Sequence, residues 1–142
     1  MLWSLTTDVG EATPWHEHEI FEFVLCRSHG GRLLWPGGDV ALRPARTLLV
    51  PPGTRHRFLF GPGEAGRLKF ICLPPSDLPG FLSPAQLALL EGFRGGGVSA
   101  ADHPGRQDWL DRLADKTGED LRVTAHFIRQ WLAGEAVEAI CR

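Results

Sequence analysis

The residues best suited to chemistry lie in the stretch Pro14-Trp15-His16-Glu17-His18-Glu19-Ile20-Phe21-Glu22. Side chains alternate faces along an extended strand, so residues 16, 18, 20 and 22 are expected on one side. That places two imidazoles and a carboxylate in one space, with Ile20 between them. A second stretch, Pro51-Pro52-Gly53-Thr54-Arg55-His56, sets a turn and delivers His56 at the start of the next strand. If that strand packs beside the first, His56 completes a set of three histidines and one carboxylate. Neutral imidazole suits zinc, iron, copper, nickel and cobalt, and a carboxylate adds charge and tolerates manganese and iron. One divalent transition metal (zinc, nickel, iron or manganese) is therefore expected on His16, His18, Glu22 and His56. Four protein ligands on an octahedral ion leave two neighbouring positions for water or a small bidentate molecule. Trp15, Ile20 and Trp35 are candidate pocket lining, since small-ligand sites combine aromatic walls with a few polar groups. No catalytic acid or base stands out beside the ligands, and the chain contains no tyrosine. His29, His103 and His126 lack a partner pattern and read as ordinary hydrogen-bonded or surface residues.

Elements able to position these residues are legible in the glycine and proline usage. Pro36-Gly37-Gly38, Pro51-Pro52-Gly53, Gly61-Pro62-Gly63 and Pro74-Pro75 are turn signals separating short apolar runs. Strands are expected at Leu2–Thr7, His18–Arg27, Arg32–Trp35, Val40–Leu42, Thr47–Val50, His56–Phe60 and Leu68–Leu73. The connections are too short for helical crossovers, so the sheets should be antiparallel. Past Pro79 the period changes. Ser83-Pro84-Ala85-Gln86 combines a capping serine, a first-turn proline and a capping-box glutamine. A second helix is expected over Arg106–Lys116, stopped by Gly118. A third begins near Asp120, with Leu121, Ala125, Ile128 and Leu132 on one stripe, widened by Phe127 and Trp131. The reading is mainly β: a small antiparallel barrel over residues 1–80, then a helical appendage over 81–142.

His16, His18 and Glu22 fit the pattern H-x-H-x3-E, and Pro51, Gly53 and His56 fit P-x-G-x2-H. These resemble the two motifs of the cupins, which implies a jelly-roll barrel holding a metal on those four residues. The glycine that opens the family's second motif falls near Ala45-Arg46, and the asparagine that often closes it is Phe60; neither is a ligand. The exit at Leu73-Pro74-Pro75, followed by Phe81-Leu82-Ser83-Pro84 and a leucine-rich helix, resembles the effector-binding half of AraC-type transcription regulators. That resemblance implies a barrel sensing a small-molecule effector, helices that join two subunits, and DNA binding by a separate domain. A small metal-dependent enzyme, a dioxygenase or isomerase acting on an organic substrate, is the alternative.

Charge and composition narrow the partners. Of the 142 residues, 43 % are apolar and 23 % charged, and the net charge is −2. Up to Pro75 there are 8 basic and 7 acidic residues (+1), and after it 7 basic and 10 acidic (−3). Neither half is a basic arm, so no direct nucleic-acid contact is expected from this chain. No apolar run approaches a bilayer span, and no leader pattern is visible. Cys26, Cys72 and Cys141 show no metal or redox spacing. A cytoplasmic protein with reduced cysteines is expected. The end at Ala139-Ile140-Cys141-Arg142 falls inside an apolar helical pattern, as in a part of a longer protein.

Phe21, Phe23 and Leu25 alternate with the inward set and must face outward, where an apolar surface needs a cover. One barrel offers limited area for both that face and the third helix. A homodimer is therefore expected, the alternative being that the helices fold back within the chain.

Overall fold

The computed structural model describes residues 3–10, 12–116 and 120–141. Two antiparallel sheets face each other. The larger has the order β1-β7-β2-β5-β8, built from β1 (Trp3–Val9), β2 (Phe21–Cys26), β5 (Arg46–Val50), β7 (Gly66–Leu73) and β8 (Ser99–Asp102). The smaller has the order β4-β3-β6, from β3 (Arg32–Trp35), β4 (Gly38–Ala41) and β6 (Arg57–Leu59). Helices α1 (Pro84–Glu91), α2 (Gln107–Lys116) and α3 (Leu121–Cys141) follow. Leu2, Gly118 and Arg142, which figure in the sequence reading, lie outside the described residues. No helix among the described residues is long and apolar enough to cross a membrane.

The alternation read from the sequence sorts the large sheet into two cores. Val24, Cys26, Leu48, Val50 and Leu68 point into the barrel and meet Leu33, Leu42 and Phe58. Phe21, Phe23, Leu25, Leu49, Ile71 and Leu73 point the other way, into a second core with the helices. β2 is buried on both faces for this reason, and every residue of it but Glu22 is buried. Phe23 stands edge-on to Phe127 and to Trp131, each with ring centroids 5.4 Å apart. Ala125, Phe127, Ile128, Trp131 and Leu132 are all buried.

This packing corrects the premise of the expected dimer. The outer face and Ala125, Phe127, Ile128, Trp131 and Leu132 of α3, assigned to a partner, are buried within one chain, while the burial of Leu121 lies outside what is described. Enough area exists because the large sheet has five strands, one of them unanticipated. β8 has the unpromising sequence Ser-Ala-Ala-Asp, yet pairs with β5 and widens the sheet under α3. It comes from beyond residue 80, so the chain past the expected division also builds the barrel's larger sheet.

Helix starts follow the capping chemistry. The Ser83 side chain accepts from the Gln86 N–H, and the Gln86 side chain accepts from the Ser83 N–H at 2.8 Å. Asp120 caps α3, its Oδ1 accepting from Arg122 N–H at 2.9 Å. Ala45 is the one described non-glycine residue with a left-handed backbone, φ 61°. It sits where the cupin pattern carries glycine. Its carbonyl accepts from His103 N–H at 2.7 Å and its N–H donates to Gln107 Oε1, which hold the conformation from both sides.

Candidate metal centre

Glu22 is the second residue of β2, with its side chain turned into the barrel, beside Val50 on one neighbour and Cys72 on the other. The expected strand does not reach back to His18. The chain bends at Glu19-Ile20, and β2 starts at Phe21. The bend is what makes the site. Along a straight strand, residues 18 and 22 would share a face but stand about 13 Å apart, four steps of about 3.3 Å. Here His18 Nε2 is 3.8 Å from Glu22 Oε2.

The second motif supplies the opposite wall. Gly53, at φ +76°, makes the turn after β5, and its N–H donates to the His18 carbonyl at 3.2 Å. His16 and His56 then form a two-bond antiparallel bridge, N–H to carbonyl at 3.0 and 2.9 Å. That bridge turns both rings to the same side, with centroids 4.2 Å apart. His56 Nε2 lies 3.9 Å from Glu22 Oε2, and His56 is fully buried.

Each ring is oriented by backbone. The Nδ1 atoms of His16, His18 and His56 lie 2.8, 3.2 and 2.8 Å from the carbonyls of Pro14, Ile20 and Thr54. A carbonyl can only accept, so each Nδ1 carries a proton, and in a neutral ring held this way Nε2 is left as the lone-pair donor to a metal. This is the outer-shell arrangement that fixes metal-binding histidines. His18 Nε2, Glu22 Oε2 and His56 Nε2 are buried without a hydrogen-bond partner. One ligand atom from each lies within 4.8 Å of the others. Three buried acceptors facing one another repel, and the group that satisfies all three is a cation. The residues present fit a divalent transition metal.

The two rings beside Glu22 differ in charge preference, His56 toward the neutral form and His18 toward the protonated form that a bound cation would have to displace. Burial lowers the His56 pKa below its ordinary value, which keeps the ring neutral. Burial also pulls on His18, but the Glu22 carboxylate and the carbonyl contacts outweigh it and raise the pKa. Cys72, beside the site, is pushed up to about 12, by burial and then by the Glu22 charge. It is a neutral thiol there.

Of the expected four, the structure brings His18, Glu22 and His56 together. The His16 ring flanks His56, with its centroid 6.3 Å from that of His18. Ile20 is half-buried and contributes its carbonyl. Trp15 is exposed and carries the Arg55 and Arg57 guanidinium carbons 5.5 and 5.8 Å from its ring centroid. Those arginines alternate with His56, so Trp15 belongs to the outer surface. Trp35 lines an open cleft of about 300 Å³ with Gly53, Thr54, Arg55 and Gly95–Gly97.

Sequence reasoning missed a buried polar chain behind the site. Trp131 Nε1–H donates to Thr47 Oγ1 at 3.1 Å, and that oxygen is 3.1 Å from His103 Nε2. Thr47 is fully buried on the outer face of β5. An isolated threonine in an apolar run carries no signal of this.

No protein-family model matches the sequence, and no curated protein sequence matches it. Solved structures do resemble the fold. ToxT from Vibrio cholerae with an unsaturated fatty acid bound superposes at a TM-score of 0.57 over 96 % of this chain and 53 % of that one, at 6 % identity. An apo form of ToxT gives 0.56 over 87 % and 52 %, at 7 % identity. A cupin-2 domain protein from Shewanella frigidimarina gives 0.45 over 49 % and 68 %, at 17 % identity. This chain spans about half the length of ToxT. The chain thus has an antiparallel two-sheet barrel with mostly C-terminal helices, a fold similar to that of part of ToxT.

Proposed function

We propose that this chain is the metal-binding, small-molecule-sensing part of an AraC-type transcription regulator. The observation that carries the reading is the layout. A barrel with a donor trio inside is sealed on its outer sheet face by its own C-terminal helices, and ToxT is matched along nearly all of this chain. The presence of a bound fatty acid in one ToxT structure supports a small-molecule role for such a barrel. His18, Glu22 and His56 hold the ion, with His16 beside them as the fourth ligand. The ion supplies Lewis acidity and an anchoring point for an oxygen-bearing effector. Contact with DNA falls to a further domain, in keeping with the acidic second half of this chain. Any pairing of subunits has to use surfaces other than the α3 stripe, which is already buried.

Two measurements test this. Protein purified without chelator or metal-affinity tag is expected to carry about one divalent transition metal per chain, and His56→Ala to lose it. A preparation that fails to take up zinc, nickel, iron or manganese overturns the metal assignment. In the native host, a chromosomal His56→Ala substitution is expected to shift a small set of transcripts. An unchanged transcript profile, with metal binding confirmed on the wild-type protein, overturns the regulatory role.

A further inference from the structure

A cavity of about 440 Å³ lies outside the barrel, between the end of β8, the start of α2 and the body of α3. Trp109, Phe127 and Trp131 give it aromatic walls, and His103, Arg106 and Gln130 its polar groups. Arg106 lies flat on Trp109, its guanidinium carbon 4.4 Å from the ring centroid. Among the described residues no carboxylate comes within ion-pair distance of Arg106. Asp102 also lines the cavity, but its carboxylate is taken by Arg43 at 2.8 Å and by Arg46 at 2.7 and 3.0 Å.

The donors are arranged for an anion. Thr47 Oγ1 accepts from Trp131 and lies 3.5 Å from the Ala101 carbonyl and 3.1 Å from His103 Nε2. Burial and the neighbouring Arg106 hold the His103 ring below its ordinary pKa, so it is neutral. The guanidinium and the Gln130 amide offer N–H groups, and among the described lining residues the one carboxylate, Asp102, is spent. The flat, aromatic walls favour a ring.

We propose that this cavity binds a small aromatic carboxylate, with Arg106 holding the carboxylate and the ring lying among Trp109, Phe127 and Trp131. A volume of this size suits a ligand of the kind that fills small-molecule pockets of about 300–1,000 Å³. The site uses neither the metal nor the barrel interior. Through Trp131 and Thr47 it touches the same β5 strand whose end leads to His56.

The test is titration calorimetry of the full chain with 2-naphthoate, with 2-naphthamide as the uncharged analogue. Naphthoate is expected to bind saturably below about 1 mM, and the amide at least about tenfold more weakly. Arg106→Ala is expected to weaken naphthoate at least about tenfold, the loss of one charge-assisted contact. Gly134→Leu offers an independent block. Gly134 lines the cavity, and a Cβ there meets nothing within 4 Å, so the larger side chain folds freely yet occupies the space. Circular-dichroism melts establish that both variants are folded. His56→Ala, which dismantles the metal centre, is expected to leave naphthoate binding unchanged. No saturable binding, or undiminished binding in both Arg106→Ala and Gly134→Leu, overturns the proposal. Loss of binding in His56→Ala with retention in the cavity variants overturns it too, by moving the ligand into the barrel.

Discussion

Phe23→Ala probes the central packing claim, that the helices seal the large sheet within one chain. Phe23 is fully buried and stacks edge-on against both Phe127 and Trp131 at 5.4 Å. Truncating a buried phenylalanine costs about 3–5 kcal/mol, from lost burial plus the void left behind. Two ring pairs, each contributing about 0.5–1.5 kcal/mol beyond area, place this site at the upper end, about 4–5 kcal/mol. For a domain of this size that corresponds to a fall in Tm of about 15 °C. Leu89, 47 % exposed on α1, is the matched control, and its alanine variant should stay within about 0.5 kcal/mol of wild type. The assay is urea unfolding followed by far-ultraviolet circular dichroism, at about 2 and about 50 μM protein. Packing in cis makes the midpoint independent of concentration, whereas packing against a second copy raises it with concentration. The double variant Phe23→Ala/Trp131→Ala should lose less than the sum of the singles, by about 1 kcal/mol, because the two rings share a contact. A cost below about 2 kcal/mol for Phe23→Ala, set against the 3–5 expected of such a truncation, or a midpoint that climbs with concentration, refutes the reasoning.

Three further outcomes follow from local chemistry. Ala45→Gly should raise stability by about 0.5–1 kcal/mol, since a left-handed alanine costs about 1–2 kcal/mol and the extra freedom of unfolded glycine returns only part of that; a lower Tm would contradict the backbone assignment. Asp102, held by Arg46 and Arg43, has its pKa depressed to about 2, so its contribution is present at neutral pH and disappears as pH falls from about 4 toward 2. The carboxylate is 41 % exposed and screened, so Asp102→Asn should cost at most about 1 kcal/mol at pH 7, less as pH falls toward about 2, and nothing well below that; a gap that does not shrink in acid would rule this pairing out. Cys26 and Cys72, both buried with thiol pKa values pushed up to about 12, should resist a thiol reagent at pH 8 until the protein unfolds, as read by peptide mass mapping.

The residues of the candidate metal centre were legible because their types and spacing are unusual, but the geometry that joins His18, Glu22 and His56 was not. Strand alternation predicts a shared face for His18 and Glu22, yet only the bend at Glu19-Ile20 brings them within reach. No periodicity marks that bend, because it is held by backbone contacts from another part of the chain, such as Gly53 N–H to the His18 carbonyl. The inward and outward sets of β2 were read correctly, since a period of two survives whatever covers the sheet. β8 was invisible for the converse reason. Ser99–Asp102 has no apolar alternation and is a strand because β5 offers it an open edge and Arg43 and Arg46 take Asp102.

The choice between covering the sheet in cis and in trans turns on the path between α1 and β8. Residues 92–98 have to leave α1, cross the barrel mouth and enter β8 beside β5. Gly95 and Gly97 do this with φ of +68° and +87°, conformations that side chains resist. Gly97 also lies against the Trp35 indole, where a Cβ would come within 2.7 Å of Nε1, so the close approach requires glycine as well. The crossing is pinned to the loops of the candidate metal centre by Gly95 N–H donating to the Pro52 carbonyl at 3.0 Å and by Arg94 reaching Glu19 at 3.4 Å. With that strap fixed, β8 is delivered to the sheet edge and α2 and α3 emerge over the outer face, already next to Phe23 and Leu49. The triple glycine therefore acts as a shaped crossing and not as slack. It also puts the loop that carries His56 in backbone contact, and the stretch that carries His18 in side-chain contact, with the segment that sets the helices.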